Sequence, residues 1–174
     1  MGDENVYVQL ARCAIERYVR HQGVVDPGQE AETAPELLTT RAGAFCSLHR
    51  QGRLRGCIGT IEATQSALGL EIVHNAISAA TRDPRFEPLR PEELADLEIS
   101  VDVLGEPEPV SDRSRLDPRI YGVIVESRGR RGLLLPDLEG VDTVEEQIGI
   151  ALQKAWISPD ERYDLYRFRV TRYH

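Results

Sequence analysis

Apolar residues recur along the chain with two spacings, and the spacing distinguishes helices from strands. A stripe at helical spacing predicts a first helix over residues 3–23, with Asp3 as its N-cap and Gly23 at its end. Residues 24–36 are acidic, contain prolines and have no period, so they are predicted to form a loop. The alternating pattern that follows begins a strand-rich region.

Two strand-like runs, residues 43–50 and 53–61, flank Gly52 and predict a β-hairpin. A three-residue turn with a bulge at the glycine is expected, because it separates apolar from polar side chains. The predicted core face carries Ala44, Cys46, Leu48, Leu54, Gly56 and Ile58, and the predicted polar face carries Phe45, Ser47, His49, Arg53, Arg55 and Cys57. A register slipped by one residue would place Cys46 opposite Cys57 and mix the two kinds of side chain. The hairpin is therefore expected to hold Cys46 in the core and Cys57 on the polar face.

Helical and alternating patterns also succeed each other in the rest of the chain. Residues 66–82 predict a helix capped by Ser66, and a later helix begins at the capping box of Thr143 and Glu146. Strands are predicted at 97–104, at 121–127 and 132–135 as a second hairpin, and within 162–174. Strand pairs separated by helices, without a regular βαβ rhythm, predict an α+β fold with a mostly antiparallel sheet and flanking helices.

The same periods predict which side of each element is buried. The expected core positions are Val73, Ala76, Ile77 and Ala80 on the helix and Leu97, Ile99, Val101 and Val103 on the strand. The expected solvent positions are His74, Asn75, Ser78 and Arg82 on the helix and Glu98, Ser100 and Asp102 on the strand.

Charge and composition narrow the classes of function. The chain has 174 residues and a net charge of −8, which suits one domain and not a protein that mainly binds nucleic acid. No apolar run approaches the roughly 18 residues of a membrane helix, and the acidic start is unlike a secretion leader. A cytoplasmic protein without nucleic acid or membrane partners is expected. Cys13, Cys46 and Cys57 form no C-x-x-C pair and are expected to be reduced.

Cys57 is the first candidate for chemistry. Gly56 and Gly59 lie beside it and leave room for a ligand or another backbone segment. Arg55 is expected on the same face, where its charge would favour the reactive thiolate, and His49 across the hairpin would act as the base. The alternative is a small, unreactive thiol in a packed position. Cys57, Arg55 and His49 are the candidate catalytic residues.

A polar helix face and the turn after it form a second candidate site, whose alternative is a solvated surface with a capped helix end. With the two glycines, the candidate ligand-binding residues are Gly56, Gly59, His74, Asn75, Arg82, Asp83 and Arg85. Lys154 joins them because it is the single lysine among 21 basic residues, and arginine cannot replace a compact amine. No histidines and cysteines share a ligand spacing on one helix, so no metal site is predicted and no cofactor is identifiable.

Three segments together resemble the AMMECR domain family. They read GAFCSLHRQGRLRGCIGTIEAT, HNAISAATRDPRFEPLRPEELADLEISVDVL and YGVIVESRGRRGLLLPDLEGVDTVEEQ, and the shorter run QKAW follows. The resemblance extends from about residue 10 to residue 173 and is strongest with the prokaryotic branch associated with the AmmeMemoRadiSam system. LRGCIG, at residues 54–59, is its most specific motif.

The resemblance implies a single AMMECR-like domain over residues 1–174, built from two unequal lobes with LRGCIG near the cleft between them. It implies functional residues at 54–59 and then at 83–86. It also implies a Memo-like protein and a radical SAM protein as partners, but no established activity. Members of this branch usually read KAG where this chain has Lys154, Ala155 and Trp156, so Trp156 would fill or cover a pocket near Lys154.

Two functions follow from these residues. The first is an enzyme or substrate-binding component that acts on a small molecule at LRGCIG, together with those partners. The second is a non-catalytic adaptor that presents LRGCIG as a rigid edge to another protein. The first is preferred.

Overall fold

The chain folds into two compact units. The structure is a computed structural model that describes residues 4–30 and 33–174. The first unit contains residues 1–103 and 172–174, and the second contains residues 104–171. The helices of the described ranges are α1 (Val6–His21), α2 (Pro35–Thr39), α3 (Leu68–Thr81) and α4 (Val144–Lys154). The strands are β1 (Ala44–Arg50), β2 (Arg53–Gly59), β3 (Leu97–Leu104), β4 (Glu108–Pro109), β5 (Gly122–Ser127), β6 (Arg130–Leu134), β7 (Asp164–Phe168) and β8 (Val170–Tyr173). Helices with two antiparallel sheets confirm the predicted α+β class.

The first unit is built on a sheet with strand order β2-β1-β3-β8, in which β1 pairs antiparallel with both β2 and β3. Helix α3 packs against β1 and β2 and also against α1. The core contains the predicted inward side chains Cys46, Leu48, Val73, Ala76, Ile99 and Val101. Burial raises the pKa of the Cys46 thiol well above its usual range, so this cysteine is an uncharged part of the core. The opposite face of the sheet carries Cys57.

The first hairpin turns differently from the prediction. Gln51 and Gly52 form a two-residue turn with φ values of 52° and 73°, and Arg50 pairs directly with Arg53. Two positive φ values are characteristic of a type I′ turn. The register then shifts between Leu48 and His49, where Arg55 is the extra residue of a bulge inside β2.

This bulge has two consequences for the predicted faces. Beyond it the pairing is Leu48 with Gly56 and Cys46 with Ile58, so the predicted core face is confirmed there. Between the bulge and the turn the predicted core face is wrong, because Leu54 lies opposite His49 and is 38% exposed. The predicted burial of Leu54 was wrong, because the extra residue Arg55 stands between Leu54 and Gly56 and reverses the face on which Leu54 lies.

Several helix boundaries also differ from the sequence prediction. Helix α1 begins at Val6, where the Asn5 side chain accepts a hydrogen bond from Tyr7 N–H, whereas the predicted cap Asp3 lies outside the described residues. The predicted loop at 24–36 contains a 3₁₀ turn and the start of α2. Helix α3 begins at Leu68 without a side-chain cap, so the predicted cap at Ser66 was wrong.

Two side chains that were expected in solvent are buried. Asn75 is 6% exposed and donates hydrogen bonds to the Ala44 carbonyl at 2.9 Å and the Thr60 hydroxyl at 3.2 Å. Asp102 is 2% exposed and accepts two hydrogen bonds from the Arg172 guanidinium, at 2.7 and 3.0 Å. Both were placed in solvent because periodicity marks polar positions without revealing their distant partners.

The second unit has a sheet with strand order β4-β7-β5-β6, and α4 packs on β5 and β6. The capping box of Thr143 and Glu146 is confirmed. The hairpin turn consists of Arg128 and Gly129, so β6 starts at Arg130, two residues before the prediction. The predicted final strand is in fact β7 and β8, which belong to different sheets. In the described part of the chain, no helix combines the length and apolarity needed to cross a bilayer.

Candidate functional site

Cys57 lies on edge strand β2, directly opposite Ser47 of β1. Its sulfur is 3.2 Å from the Ser47 hydroxyl oxygen, and both residues are partly exposed. The N–H and C=O groups of Cys57 are both bonded on the side away from β1, so Cys57 and Ser47 form a non-hydrogen-bonded pair of the ladder. Side chains approach most closely in such pairs, which explains the short contact between thiol and hydroxyl.

The backbone of Cys57 is held by two side chains that take the place of a neighbouring strand. The Asp83 carboxylate accepts the Cys57 N–H at 3.0 Å, and an Arg85 guanidinium N–H donates to the Cys57 carbonyl at 3.4 Å. Asp83 itself accepts from Arg85 through the backbone N–H, Nε and Nη2, at 3.0, 3.0 and 2.7 Å. An edge strand would otherwise offer these groups to another chain, so the pair fixes Cys57 and closes the edge.

Asp83 and Arg85 together form a clamp on the Cys57 backbone. The electrostatics of this clamp follow from its hydrogen bonds. The Asp83 side chain is 2% exposed. The guanidinium of Arg85, helped by the Cys57 and Arg85 N–H groups, holds the pKa of Asp83 far below its usual range despite burial. Asp83 is therefore ionised throughout the physiological range.

Arg55, the bulge residue, is directed to the segment after the clamp. Its Nε and Nη2 donate to the two Glu93 carboxylate oxygens at 2.9 and 3.0 Å, and its Nη1 donates to the Glu87 carbonyl at 2.9 Å. This bidentate contact lowers the pKa of Glu93, and burial opposes the effect. The Phe86 ring lies near two guanidinium carbons, 5.9 Å from that of Arg55 and 5.5 Å from that of Arg85. The charge of Arg55 is thus neutralised by Glu93.

The two glycines beside Cys57 are required by close packing. A Cβ atom on Gly56 would overlap the carbonyl oxygen of Ala79 in α3, so the glycine lets the helix backbone approach β2. A Cβ atom on Gly59 would overlap the Phe45 ring, which lies over β2 at that point. Gly56 thus meets the expectation of a neighbouring backbone segment, whereas at Gly59 the neighbour is the Phe45 side chain.

His49 lies on the same face as Ser47, two residues further along β1. Its neighbours across the sheet are Leu54 on β2 and Glu98 on β3. Ser100 lies opposite Ser47 on β3, so three strands align Cys57, Ser47 and Ser100 in one row. Diagonal neighbours on a sheet face are roughly 7 Å apart, so a ligand on the Cys57 row can also contact His49.

The other candidate ligand-binding residues lie in different settings. His74 is exposed on α3, Arg82 is the exposed C-cap of that helix, and Asn75 holds β1 from inside the core. Asp83 and Arg85 do contact Cys57, as described above. Lys154 belongs to the second unit, where its ammonium group donates to the Leu133 carbonyl at 2.8 Å.

Trp156 occupies a position where glycine is normally favoured. The Trp156 N–H binds the Gln153 carbonyl and the Ile157 N–H binds the Leu152 carbonyl, which is the Schellman pattern at the end of α4. This pattern requires a left-handed residue, and Trp156 has φ 57°. Its side chain fills no pocket in its own unit, because Trp156 is 86% exposed.

Ser47 and Glu93 are the contact residues that sequence reasoning did not single out. Ser47 could have been found from the hairpin register, which already placed it on the face of Cys57. Glu93 is 38 residues from Arg55, and no local pattern connects them. Within residues 4–30 and 33–174, no three histidine, cysteine or acidic side chains are arranged to hold a metal ion.

Comparison with known proteins identifies the family. The AMMECR1 family model matches residues 8–174. A Thermotoga maritima protein is 56% identical over 176 residues, with 99% of each chain covered. Protein CA_C1420 of Clostridium acetobutylicum is 45% identical, and the alignment covers 98% of this chain but 36% of that longer protein.

A solved structure is similar over nearly the whole length. The crystal structure of uncharacterised protein PH0010 from Pyrococcus horikoshii superimposes with a TM-score of 0.80 at 31% identity, covering 95% of this chain and 88% of that one. The family match, the identities and the shared fold agree with each other. This chain belongs to the AMMECR1 family, whose relatives found here are uncharacterised proteins.

Proposed function

We propose that this chain is an enzyme or substrate-binding component that takes a small molecule on the sheet face formed by Cys57, Ser47 and Ser100. In the same proposal it acts in the cytoplasm with a Memo-like protein and a radical SAM protein. One observation carries the assignment. The other side chains and glycines of LRGCIG that the structure accounts for are packed within the fold, whereas the Cys57 thiol lies on the polar face of the sheet and is partly exposed.

The arrangement around the thiol supports a chemical role. Ser47 and Ser100 supply two hydroxyl groups that donate and accept hydrogen bonds, so a polar ligand can be oriented across the row. His49 lies one row away and has Glu98 opposite it on β3. This is the order of groups found in sites where a carboxylate orients a base and the base serves a nucleophile.

The proposed step is addition of the Cys57 sulfur to a carbonyl carbon of the ligand. A sulfur–carbon bond forms, the carbon–oxygen π bond breaks with its electron pair moving to the oxygen, and the thiol proton passes to the imidazole of His49. Asp83 and Arg85 act through the backbone of Cys57 and are positioning residues. Arg55 is one too, because its charge is already paired with Glu93.

Thiol alkylation tests this proposal directly. In a Cys13→Ser background, iodoacetamide reports Cys57 alone, because Cys46 is 1% exposed. We expect Cys57 to react faster than a small free thiol at pH 7, and His49→Gln to remove that advantage while the fold is retained. A reaction no faster than the free thiol would exclude the covalent step.

A second experiment identifies the ligand. Metabolite pools are screened for molecules that stabilise the Cys13→Ser protein but not the Cys13→Ser, Cys57→Ser double variant. A ligand present at 100 times its Kd raises the free energy of unfolding by about 2.7 kcal/mol.

An adaptor without catalysis is the second candidate. It is favoured by the rigid fixation of edge strand β2 and by Leu54, a large apolar side chain 38% exposed at the bulge. For an adaptor, Cys57→Ser should leave binding of the Memo-like protein unchanged, and Leu54→Ala or Arg55→Ala should weaken it. Loss of binding with Cys57→Ser alone would count against the adaptor.

A further inference from the structure

The only tryptophan of the chain is held in a conformation that costs stability. A non-glycine residue in the left-handed region is disfavoured by roughly 1–2 kcal/mol, and Trp156 adopts it with φ 57°. Its side chain recovers little of that cost inside the unit, because Trp156 is 86% exposed. Strain without an internal benefit indicates a contact outside the unit.

The backbone around the indole is rigid. Besides the Schellman bonds, the Trp156 carbonyl accepts a hydrogen bond from the Arg130 guanidinium, and Arg130 is also paired with Glu161. Buried Ile157 follows directly and anchors the chain in the core. A large aromatic side chain on a fixed backbone loses little entropy on binding, which is typical of interface hot spots.

The surroundings of Trp156 define the charge of its partner. Arg128 and Arg130 share one carboxylate, Glu161, and the Arg128 side chain is 84% exposed with its nearest Glu161 oxygen at 4.0 Å. Arg128 is therefore held loosely, and its guanidinium is exposed to an acidic group of a partner. A complementary surface would offer a recess for the indole with an acidic rim.

Such a surface exists on the same unit. An open pocket of about 430 Å³ is lined by Leu138, by the edge of buried Val141 and by acidic Asp137, Glu139 and Asp142. Arg119 at its side pairs with Asp142 at 3.6 Å, so Asp137 and Glu139 carry the acidic charge of the rim. Pockets that hold small organic groups start at roughly 300 Å³, so an indole can enter. Trp156 does not occupy the pocket of its own chain, since its side chain is exposed.

We propose that Trp156 of one molecule inserts into the Leu138–Val141 pocket of a second copy, with Arg128 facing the acidic rim. The contact is head-to-tail, because it joins two different surfaces, and each copy offers one of each. Such contacts close into rings or extend into chains. The inference is independent of the function assigned to Cys57.

Sedimentation velocity from 1 to 200 µM tests the self-association. We expect the wild-type weight-average mass to rise with concentration, and Trp156→Gly to weaken association about 30-fold or more, as for a hot-spot residue. Glu139→Arg should weaken it as well, by reversing a charge of the rim. Leu38→Ala, at another exposed apolar side chain of 45% exposure, is the matched control and should change nothing.

Mixing the two defective variants separates this contact from any other. Trp156→Gly keeps the pocket and contains no tryptophan, and Glu139→Arg keeps the indole. The mixture should form 1:1 dimers and no larger species, with a blue shift of the single tryptophan emission. A wild type that stays monomeric, or a Trp156→Gly variant that associates normally, would overturn the proposal. So would a mixture of the two variants that remains monomeric.

Discussion

Replacing Asp83 by asparagine tests the clamp that holds Cys57. The change preserves the shape of the side chain but leaves one oxygen where the carboxylate had two. Each carboxylate oxygen accepts two hydrogen bonds, from Cys57 and Arg85 on one side and from two Arg85 groups on the other. Either orientation of the amide therefore turns an NH₂ group toward two donors.

The expected loss follows from those contacts. A hydrogen bond to a charged group contributes about 1.5–3 kcal/mol, and two such bonds are lost. Arg85 is half exposed and recovers part of this by binding water, so we expect a decrease of about 3 kcal/mol in unfolding free energy. The matched control is Asp142→Asn, where the ion pair to Arg119 is 3.6 Å long and both side chains are 73% exposed. That change should cost less than about 1 kcal/mol.

The pH dependence supplies an independent check. The folded pKa of Asp83 lies below its unfolded value. Its contribution is therefore fully present above the unfolded pKa of about 3.9 and is lost as pH falls through the folded pKa. The difference between wild type and Asp83→Asn should be complete at pH 7 and should shrink below about pH 4.

Two probes separate the units in this experiment. Hydrogen exchange of β2 peptides in increasing urea reports the first unit, and Trp156 fluorescence reports the second. Asp83→Asn should lower the protection of β2 and leave the Trp156 transition unchanged. Two results would refute the role of the clamp. One is a loss of unfolding free energy no larger than that of Asp142→Asn, and the other is a stability difference between wild type and Asp83→Asn that widens in acid.

Three further substitutions, one of them with a matched control, test packing, backbone conformation and buried hydrogen bonds. Gly56→Ala should destabilise the protein by about 1–3 kcal/mol in urea denaturation, because the new methyl group meets the backbone of α3. Its control, Gly149→Ala inside α4, has open space and should stabilise by up to about 1 kcal/mol, so equal effects would contradict the packing argument. Trp156→Gly should raise stability by about 1 kcal/mol at concentrations where the protein is monomeric, and a decrease would show that the indole stabilises its own unit. Glu71→Gln should cost about 2–3 kcal/mol, since the buried carboxylate accepts four hydrogen bonds, and a neutral result would mean that water replaces them.

Patterns that span only a few residues correctly predicted the elements that depend only on neighbouring residues. The strand at Leu97–Leu104 and the capping box of α4 were both predicted correctly, because alternation and capping involve residues within a few positions. The hairpin was predicted, but its turn was not. Two compensating features, a turn one residue shorter and a bulge at Arg55, leave the same register at Cys57. A pattern of apolar and polar positions cannot distinguish these two routes to one register.

Long-range partners account for the buried polar residues that were assigned to solvent. Asn75 bonds a carbonyl 31 residues away, and Asp102 pairs with an arginine 70 residues away. At these positions the sequence shows a polar residue on a polar stripe, which is also what a solvated face would show. The partner becomes identifiable only when the strands and helices have been assembled.

The site illustrates why a specific motif is weak evidence for a specific reaction. Of the six residues in LRGCIG, Arg55 pairs with Glu93, Gly56 admits α3 and Gly59 admits the Phe45 ring. Asp83 and Arg85, the next motif, bind the backbone of Cys57 and leave its sulfur uncommitted. Constraints on the fold are thus sufficient to explain these residues without any ligand. They are not sufficient to explain a partly exposed thiol in contact with a hydroxyl on the polar face of the sheet, where an apolar or small side chain would serve the fold equally well. Functional experiments on this family should therefore begin with the atoms on that face, and with Ser47, His49 and Glu98, which the motif does not include.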